Sequence, residues 1–165
     1  MLRSFNQSWQ AVFREGVLDH STKELARVFI AMSLDCGYCA GQRSHLAIAA
    51  GLTEREFVDV IEFRESDVFT PREKAALLFA EAIAWDPGLA DHSVWTALHA
   101  EFTEPEIVEL GYFIGLTIRS AEVPQDARHP ARRPRHLVDR WPGACGGGHP
   151  HHLHAQLTGS AACAR

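Results

Sequence analysis

Four short segments of this chain share one pattern, a Ser or Thr followed three residues later by a Glu. They are Ser21–Glu24, Thr53–Glu56, Thr70–Glu73 and Thr103–Glu106. In such a capping box, the hydroxyl and the carboxylate each accept a hydrogen bond from a backbone N–H that a helix start leaves without a partner. Apolar residues at helical spacing follow each segment, and no segment shows the two-residue alternation of a strand. The sequence therefore predicts an all-α fold.

The expected helix bounds follow from the apolar spacing and from the glycines and prolines that stop helices. The last helix is apolar on nearly all sides, which predicts burial, either centrally or against another subunit. We expect helices over 4–15, 22–34, 37–50, from the Thr53 box onward, from the Thr70 box to Asp86, over 91–101 and over 104–121.

The composition changes sharply after Val123. Residues 124–165 hold 5 of the 8 prolines, 6 of the 10 histidines and 5 of the 12 glycines, and their apolar periodicity is lost. Such a segment buries too little apolar surface to offset its ordering entropy. We therefore predict a helical domain over 1–123 and a disordered His/Arg/Pro/Gly-rich tail over 124–165.

Two other interpretations of the tail stay open. The histidines of 149–154, with Cys145 nearby, could bind a metal, although we expect such binding to be adventitious. The tail could also be out-of-frame translation, since it has no lysine and is rich in Arg, Gly and Ala. We predict no metal site, and we take Cys145 and Cys163 to be incidental.

The charge distribution excludes some classes of partner. Residues 1–123 hold 10 Lys and Arg against 19 Asp and Glu, a balance of about −9, which argues against nucleic acid. No run approaches the roughly 18 apolar residues that a membrane span needs, and the N-terminal residues do not resemble a signal peptide. We expect a cytoplasmic protein in which the cysteines are reactive or reduced rather than a disulfide scaffold.

The chemistry centres on Cys36 and Cys39. Cysteines three residues apart at a helix start lie on one face and are close enough to form a disulfide, and the N–H groups there stabilise a thiolate. Half of a zinc site and plain packing are the alternatives. No nucleotide motif or phosphate-binding loop is present, so we predict no cofactor and expect electrons from a separate partner.

A family resemblance accompanies this pair. Glu24 lies twelve residues before Cys36, and an Ala-Gly ends the helix that follows Cys39, at Gly51. Over residues 1–122 the chain resembles the carboxymuconolactone decarboxylase superfamily, in particular its AhpD-like alkylhydroperoxidase branch. The resemblance implies an all-α fold assembled as a trimer or hexamer. It also implies reduction of a hydroperoxide substrate, with recycling by an external dithiol of the lipoyl or thioredoxin-like type.

The resemblance also implies roles for individual residues. Cys39 would be the thiolate that attacks the peroxide, and Cys36 the partner that resolves it into a disulfide. Glu24 would be the acid end of a proton relay, although as the last residue of a capping box it could simply be a cap. Tyr38, between the cysteines, could shape the mouth of the pocket or pack as an ordinary aromatic residue.

The sequence departs from the family where the relay histidine is expected, because that position holds Arg43. Arginine stays protonated, so it cannot accept the proton of Cys39. At four residues from Cys39 on the expected helix, it could still stabilise the thiolate by its charge. His45 would lie about 120° away on that helix, so a chemical role for it would require Glu24 to draw it in.

Two functions other than a peroxidase remain possible. One is a non-catalytic or redox-sensing helical oligomer with the same fold, which the arginine at position 43 favours. The other is a decarboxylase-like enzyme that does not use the thiols, since carboxymuconolactone decarboxylases generally lack the cysteine pair.

Overall fold

The computed structural model describes residues 2–121, and over these the backbone forms eight α-helices, two short 3-10 turns and no strand. The prediction of an all-α fold is confirmed. The predictions for the tail lie outside the described residues. The helices are α1 (Leu2–Arg14), α2 (His20–Ser33), α3 (Gly37–Gly41), α4 (His45–Ala49), α5 (Glu54–Asp59), α6 (Pro71–Trp85), α7 (His92–Glu101) and α8 (Glu104–Ala121).

Three of the four predicted capping boxes start helices. The backbone N–H groups of Thr53, Thr70 and Thr103 donate to the Glu three residues later at 2.7, 2.8 and 2.7 Å. These contacts open α5, α6 and α8. Pro71 occupies the first position of α6, where its missing N–H costs no helical hydrogen bond.

The fourth box, at Ser21, is not a helix cap. The α2 helix starts at His20, two residues before the predicted start at residue 22. Asp19 caps it by accepting a hydrogen bond from the Thr22 N–H at 2.8 Å. Glu24 therefore lies inside the helix and is fully buried. The interpretation of Glu24 as a cap is wrong, because the aspartate two residues before Ser21 takes that role.

The helix predicted over 37–50 is two short helices. Gln42 follows α3 in an extended conformation, with ψ of 141°, and the chain becomes helical again at α4. The break has a physical cause in the side chain of Arg27, which donates to the carbonyl oxygens of Cys39 and Gln42 at 2.6 and 2.7 Å. Side-chain donors thus replace backbone donors that a continuous helix would supply. Gly41, a weak helix former, lies at the same place.

The α2 helix is the centre of the molecule. It packs against α6 and α8 on its long sides and against α3 and α4 near the dithiol. Phe29 of α2 meets Phe63 edge to face, with ring centroids 5.8 Å apart. Almost every residue of α2 is buried, including its charged ones, so this helix brings ionised groups into the core.

The α8 helix is buried on one side. Its inward residues include Leu110 and Phe113, whereas Val108 and Tyr112 are 70% and 53% exposed. The prediction that α8 is buried centrally on nearly all sides is therefore wrong. Burial of its exposed side against another subunit stays a prediction. Neither α8 nor any other helix in the described part of the chain is long and apolar enough to cross a membrane.

A buried ion pair fixes the turn between α1 and α2. Lys23 is almost fully buried, with its ammonium 2.5 Å from the Glu109 carboxylate, and it donates to the Glu15 carbonyl at 2.7 Å. Glu109 also accepts from the Val17 N–H at 2.7 Å. Because these contacts join the turn to α8, they hold α1 across the same side of the fold as the dithiol.

Candidate functional site

Cys36 and Cys39 are joined by a disulfide, with their Cα atoms 5.3 Å apart. Cys36 caps α3, and its sulfur accepts from the Cys39 N–H at 3.4 Å. Asp35 adopts a positive φ of 56° just before the pair, which turns the chain out of α2. The predicted pairing of the two sulfurs is present. However, α3 has only five residues, so its dipole is weaker than the predicted helix over 37–50 would have supplied.

Glu24 lies beneath the dithiol with no exposed surface. Its two oxygens accept from Arg27 at 2.7 and 2.8 Å, which is a bidentate ion pair, and Oε1 also accepts from the Ser44 N–H at 2.8 Å. A buried carboxylate is tolerated when a guanidinium balances its charge and donors occupy both oxygens. The structure thus brings Glu24 to the site, with its hydrogen-bonding capacity committed to Arg27 and the chain after α3.

Arg27 is a site residue that the sequence analysis missed. It is also buried, and besides Glu24 it binds the carbonyl oxygens of Cys39 and Gln42. One guanidinium therefore joins the buried carboxylate to the backbone that carries the dithiol. The available signal was an Arg three residues after a Glu on a helix whose neighbouring positions are apolar, a spacing that places the two on one face.

His20 and Ser44 form a second contact that the sequence analysis missed. His20 Nε2 lies 2.6 Å from Ser44 Oγ, and His20 Nδ1 lies 2.8 Å from the Phe13 carbonyl oxygen. No local pattern indicates this pairing, because the two residues are 24 positions apart. The only hint was that His20 precedes Glu24 by one helical turn and so shares its face.

Arg43 is not one helical turn from Cys39, because the helix breaks before it. Its guanidinium pairs with Glu54 at 2.9 Å and lies over the Phe57 ring, 4.5 Å from the centroid. It also donates to the Ala40 carbonyl. The hydrogen bond from Arg43 lowers the pKa of the exposed Glu54 carboxyl. The geometric basis of the predicted thiolate stabilisation is therefore wrong, and the guanidinium of Arg43 instead forms an ion pair with Glu54.

His45 and Tyr38 lie on the outer side of the site. His45 is the first residue of α4 and is exposed, so the helical angle predicted between it and Cys39 does not apply. Tyr38 is 65% exposed. Neither residue has a hydrogen bond to Glu24, whose donors are described above.

A cavity of about 340 Å³ connects these residues. Cys39 lines it, whereas Cys36 is not among its lining residues in the described part of the chain. Every other predicted site residue borders it as well, and Trp9 and Phe13 of α1 form an apolar wall opposite. The walls are set by α1, α2, the α3–α4 segment and α8. The polar and charged side chains that line the cavity include His20, Glu24, Arg27, Cys39, Arg43 and Ser44.

The fold and the site together define an all-α protein with a Cys-x-x-Cys disulfide at a cavity that a buried glutamate also lines. Residues 1–82 match the model of the carboxymuconolactone decarboxylase family. The predicted resemblance to the carboxymuconolactone decarboxylase superfamily is confirmed over these residues.

The chain is also similar in sequence to uncharacterized proteins. The uncharacterized Mycobacterium tuberculosis protein Rv2313c is 34% identical over 110 residues, which cover 67% of this chain and 39% of that protein. The uncharacterized Escherichia coli protein YnjA is 30% identical over 104 residues, which cover 63% of this chain and 57% of that protein. The chain thus spans well under two thirds of either relative.

The fold also matches a solved structure. That protein, of unknown function and from Agrobacterium tumefaciens, has been assigned provisionally as the antioxidant defence protein AhpD. The two structures align with a TM-score of 0.65 at 22% sequence identity, over 79% of this chain and 89% of that one. At this level of identity the match supports the fold.

Proposed function

We propose that the protein is a thiol-dependent peroxidase that reduces hydroperoxides with its Cys36–Cys39 pair. The observation that carries this proposal is the position of Cys39, which borders the cavity while its sulfur is bonded to Cys36. One cysteine is thus open to a small substrate, and the other is in place to resolve the product. This is the arrangement that a two-cysteine peroxidase needs.

The proposed reaction has two steps, oxidation of Cys39 by the peroxide and formation of the disulfide with Cys36. The Cys39 thiolate attacks the terminal oxygen of ROOH, the O–O bond breaks, and the alkoxide leaves as ROH after gaining a proton. The resulting Cys39 sulfenic acid is attacked by the Cys36 thiol, which forms the disulfide and releases water. This second step would produce a disulfide between the same two residues that are bonded in the structure.

The buried pair of Glu24 and Arg27 positions the nucleophile. Arg27 holds the Cys39 carbonyl and Glu24 holds the Ser44 N–H, so the two residues fix the backbone on both sides of the break after α3. A nucleophile fixed against the core needs little reorganisation before attack. We therefore assign Glu24 a positioning role rather than the acid role that the family resemblance implies.

The size and the apolar lining of the cavity favour an organic hydroperoxide rather than hydrogen peroxide as the substrate. Its volume of about 340 Å³ far exceeds that of hydrogen peroxide, and Trp9, Phe13 and Leu46 give it apolar surface. We propose that an alkyl group lies against these side chains while the peroxide oxygens point to Cys39. Tyr38, which is exposed beside the dithiol, would border the entrance.

The reduced enzyme must be regenerated by an external dithiol, of the lipoyl or thioredoxin-like type, in the cytosol. Thiol–disulfide exchange requires that the incoming thiolate reach one sulfur of the pair. Cys36 and Cys39 are each only partly buried, which is consistent with such access. We also propose a homo-oligomer, trimer or hexamer, with the exposed Val108 and Tyr112 of α8 in a subunit contact.

The decisive experiment supplies cumene hydroperoxide with dihydrolipoamide or reduced thioredoxin and measures turnover. Cys39→Ser should abolish turnover, and Cys36→Ser should leave one equivalent of sulfenic acid that dimedone traps on Cys39. The double variant Cys145→Ser/Cys163→Ser is the matched control and should retain full activity.

Other outcomes would identify the alternatives. Turnover that survives both Cys36→Ser and Cys39→Ser would refute the thiol mechanism. A dithiol that is oxidised and reduced reversibly, without peroxide turnover, would favour a redox-sensing helical oligomer. Decarboxylation of a β-keto acid or lactone that persists in both serine variants would favour the decarboxylase-like enzyme.

A further inference from the structure

Peroxide reduction by a thiol requires a group that moves one proton. The Cys39 thiol must lose a proton before attack, and the leaving alkoxide must gain one. The arginines that border the cavity stay protonated and cannot serve. Glu24 is a poor candidate in this structure, because Arg27 and the Ser44 N–H occupy its oxygens with three donors. The site therefore needs another proton acceptor.

His20 has the hydrogen-bond partners that a proton acceptor needs. Its Nδ1 lies 2.8 Å from the Phe13 carbonyl oxygen, which can only accept, so Nδ1 carries a hydrogen. In the neutral ring Nε2 is then an acceptor, and the Ser44 hydroxyl, 2.6 Å away, donates to it. The Phe13 carbonyl would also stabilise the imidazolium form, because Nδ1 remains a donor when Nε2 gains a proton.

Ser44 uses its hydroxyl in an unusual way for its position. It is the N-cap residue of α4, where a serine side chain ordinarily accepts a hydrogen bond from the first turn, yet it makes no such bond. Its hydroxyl is instead committed to His20, and its N–H is held by Glu24. While it donates to His20, the oxygen keeps lone pairs that can accept a proton from the cavity.

We propose that His20, acting through the Ser44 hydroxyl, stores the proton of Cys39 during the peroxide reaction. In the forward step the Cys39 proton passes to Ser44 Oγ through the cavity that Cys39 and Ser44 both line, as the hydroxyl proton of Ser44 passes to His20 Nε2. After the thiolate attacks, the same path returns one proton to the alkoxide as the O–O bond breaks, so the product leaves as ROH. This inference rests on the proposed peroxidase function, and it supplies the proton acceptor that Arg43 cannot be.

The His20 ring lies among an aromatic side chain, uncharged residues of α8 and charged groups of both signs. Its ring packs on Phe13, with centroids 4.4 Å apart, and it is partly buried. The α8 residues that line the cavity, Thr117 and Ser120, carry no charge. Among the lining residues, histidines are the side chains that change charge most readily near neutral pH. The titratable or charged groups facing the cavity besides His20 are Arg14, Glu24, Arg27, Tyr38, Cys39, Arg43 and His45.

The test measures how fast iodoacetamide alkylates Cys39 between pH 5 and 9, in reduced full-length protein carrying Cys36→Ser. This readout reports the thiolate without requiring turnover. His20→Gln should move the midpoint of the profile up by about one pH unit, which makes alkylation about tenfold slower on its lower limb. Ser44→Ala should give the same shift, and Ser44→Thr, which keeps the hydroxyl, should restore the original profile.

Turnover of cumene hydroperoxide gives the second readout. His20→Gln should slow the peroxide step by about 100-fold at pH 7, as expected for loss of a positioned proton donor and acceptor. His92→Gln, an exposed histidine on α7, is the matched control and should change neither readout. Far-ultraviolet circular dichroism of each variant verifies folding, and Ser44→Ala tests the relay with the imidazole left in place.

The outcomes separate this inference from the proposed function. If wild type reduces the peroxide and Cys39→Ser does not, but His20→Gln and Ser44→Ala leave both readouts unchanged, the relay is refuted and the peroxidase stands. A shift produced by His45→Gln instead would also overturn it. If no peroxide turns over, the peroxidase fails, and the alkylation profile still decides whether His20 controls the Cys39 proton.

Discussion

The buried guanidinium of Arg27 donates a hydrogen bond of 2.6 Å to the backbone carbonyl oxygen of Cys39. The same side chain forms the bidentate pair with Glu24, so one guanidinium joins the ion pair in the core to Cys39 at the cavity. Substitution of either Glu24 or Arg27 should therefore change both the free energy of unfolding and the reactivity of Cys39.

Arg27→Gln should lower the free energy of unfolding by about 3 kcal/mol, because it leaves the buried Glu24 carboxylate without its counter-charge. Urea unfolding followed by circular dichroism measures the loss. Adding Glu24→Gln should recover part of it, since the double variant buries no charge. Arg55→Gln, which breaks exposed ion pairs with Asp59 and Asp67, is the control and should cost less than about 1 kcal/mol. An equal loss in both single arginine variants would contradict the buried role.

Gly16→Ala should destabilise the protein more than Gly51→Ala. Both glycines have positive φ, 97° and 111°, so each alanine costs about 1–2 kcal/mol of backbone strain. A Cβ at Gly16 would also collide with the Glu109 carboxylate, whereas nothing lies within 4 Å of one at Gly51. The contact should add about 1–3 kcal/mol at Gly16, measured by urea unfolding. Equal losses would show that the carboxylate moves aside freely.

Glu106 should make stability depend on pH at the acidic end. The Thr103 backbone N–H, with the Thr103 hydroxyl and Arg72, lowers the pKa of Glu106 from 4.5 to about 2. A carboxyl whose pKa is depressed on folding contributes its full stability above the unfolded value, and loses it as pH falls through the folded value. Glu106→Gln should therefore cost about 1 kcal/mol near neutral pH, and its difference from wild type should shrink between pH 4.5 and 2.

Urea unfolding at several pH values checks the Glu106 prediction. Glu15→Gln, at the exposed end of the turn after α1, is the charge-matched control. A Glu106→Gln difference that stayed constant down to pH 2 would show that the carboxylate charge plays no part.

Arg43 should control the ionisation of Glu54. Because the hydrogen bond from Arg43 lowers the pKa of Glu54, Arg43→Ala should raise that pKa toward its ordinary value, as read by NMR titration of the carboxyl. If Arg43 also stabilises the Cys39 thiolate, Glu54→Gln should speed iodoacetamide alkylation by releasing its charge, and Arg43→Ala should slow it. Alkylation that is indifferent to both variants would remove Arg43 from the thiol chemistry and leave it a structural residue.

Local patterns predicted most of the helices. The Thr-x-x-Glu boxes at Thr53, Thr70 and Thr103 fix helix starts because donor, acceptor and hydroxyl lie within one turn of chain. The same pattern failed at Ser21, where Asp19 captured the cap and Glu24 was buried instead. Sequence spacing alone does not distinguish these cases, because either residue can cap and packing decides which one does.

The break after α3 was not predictable from the sequence. Ala, Gly, Gln, Arg and Ser after Cys39 are compatible with a continuing helix, and the cause of the break lies in another helix, at Arg27. The roles assigned to Arg43 and His45 depended on that helix continuing. Because Arg27 binds the carbonyl oxygens of Cys39 and Gln42 where the helix ends, Arg43 and His45 do not lie at the predicted helical positions relative to Cys39.

The sequence by itself determined the all-α class, the helix starts at Thr53, Thr70 and Thr103, and the pairing of Cys36 with Cys39, since these depend on residues within one or two turns of each other. The tertiary structure alone decided that Glu24 lies buried against Arg27 and that His20 meets Ser44 at the cavity that Cys39 also lines. These contacts join segments 3 to 24 residues apart through packing of α2 against its neighbours. Their energies depend on burial, which removes competing water from the ion pair and which local spacing does not report.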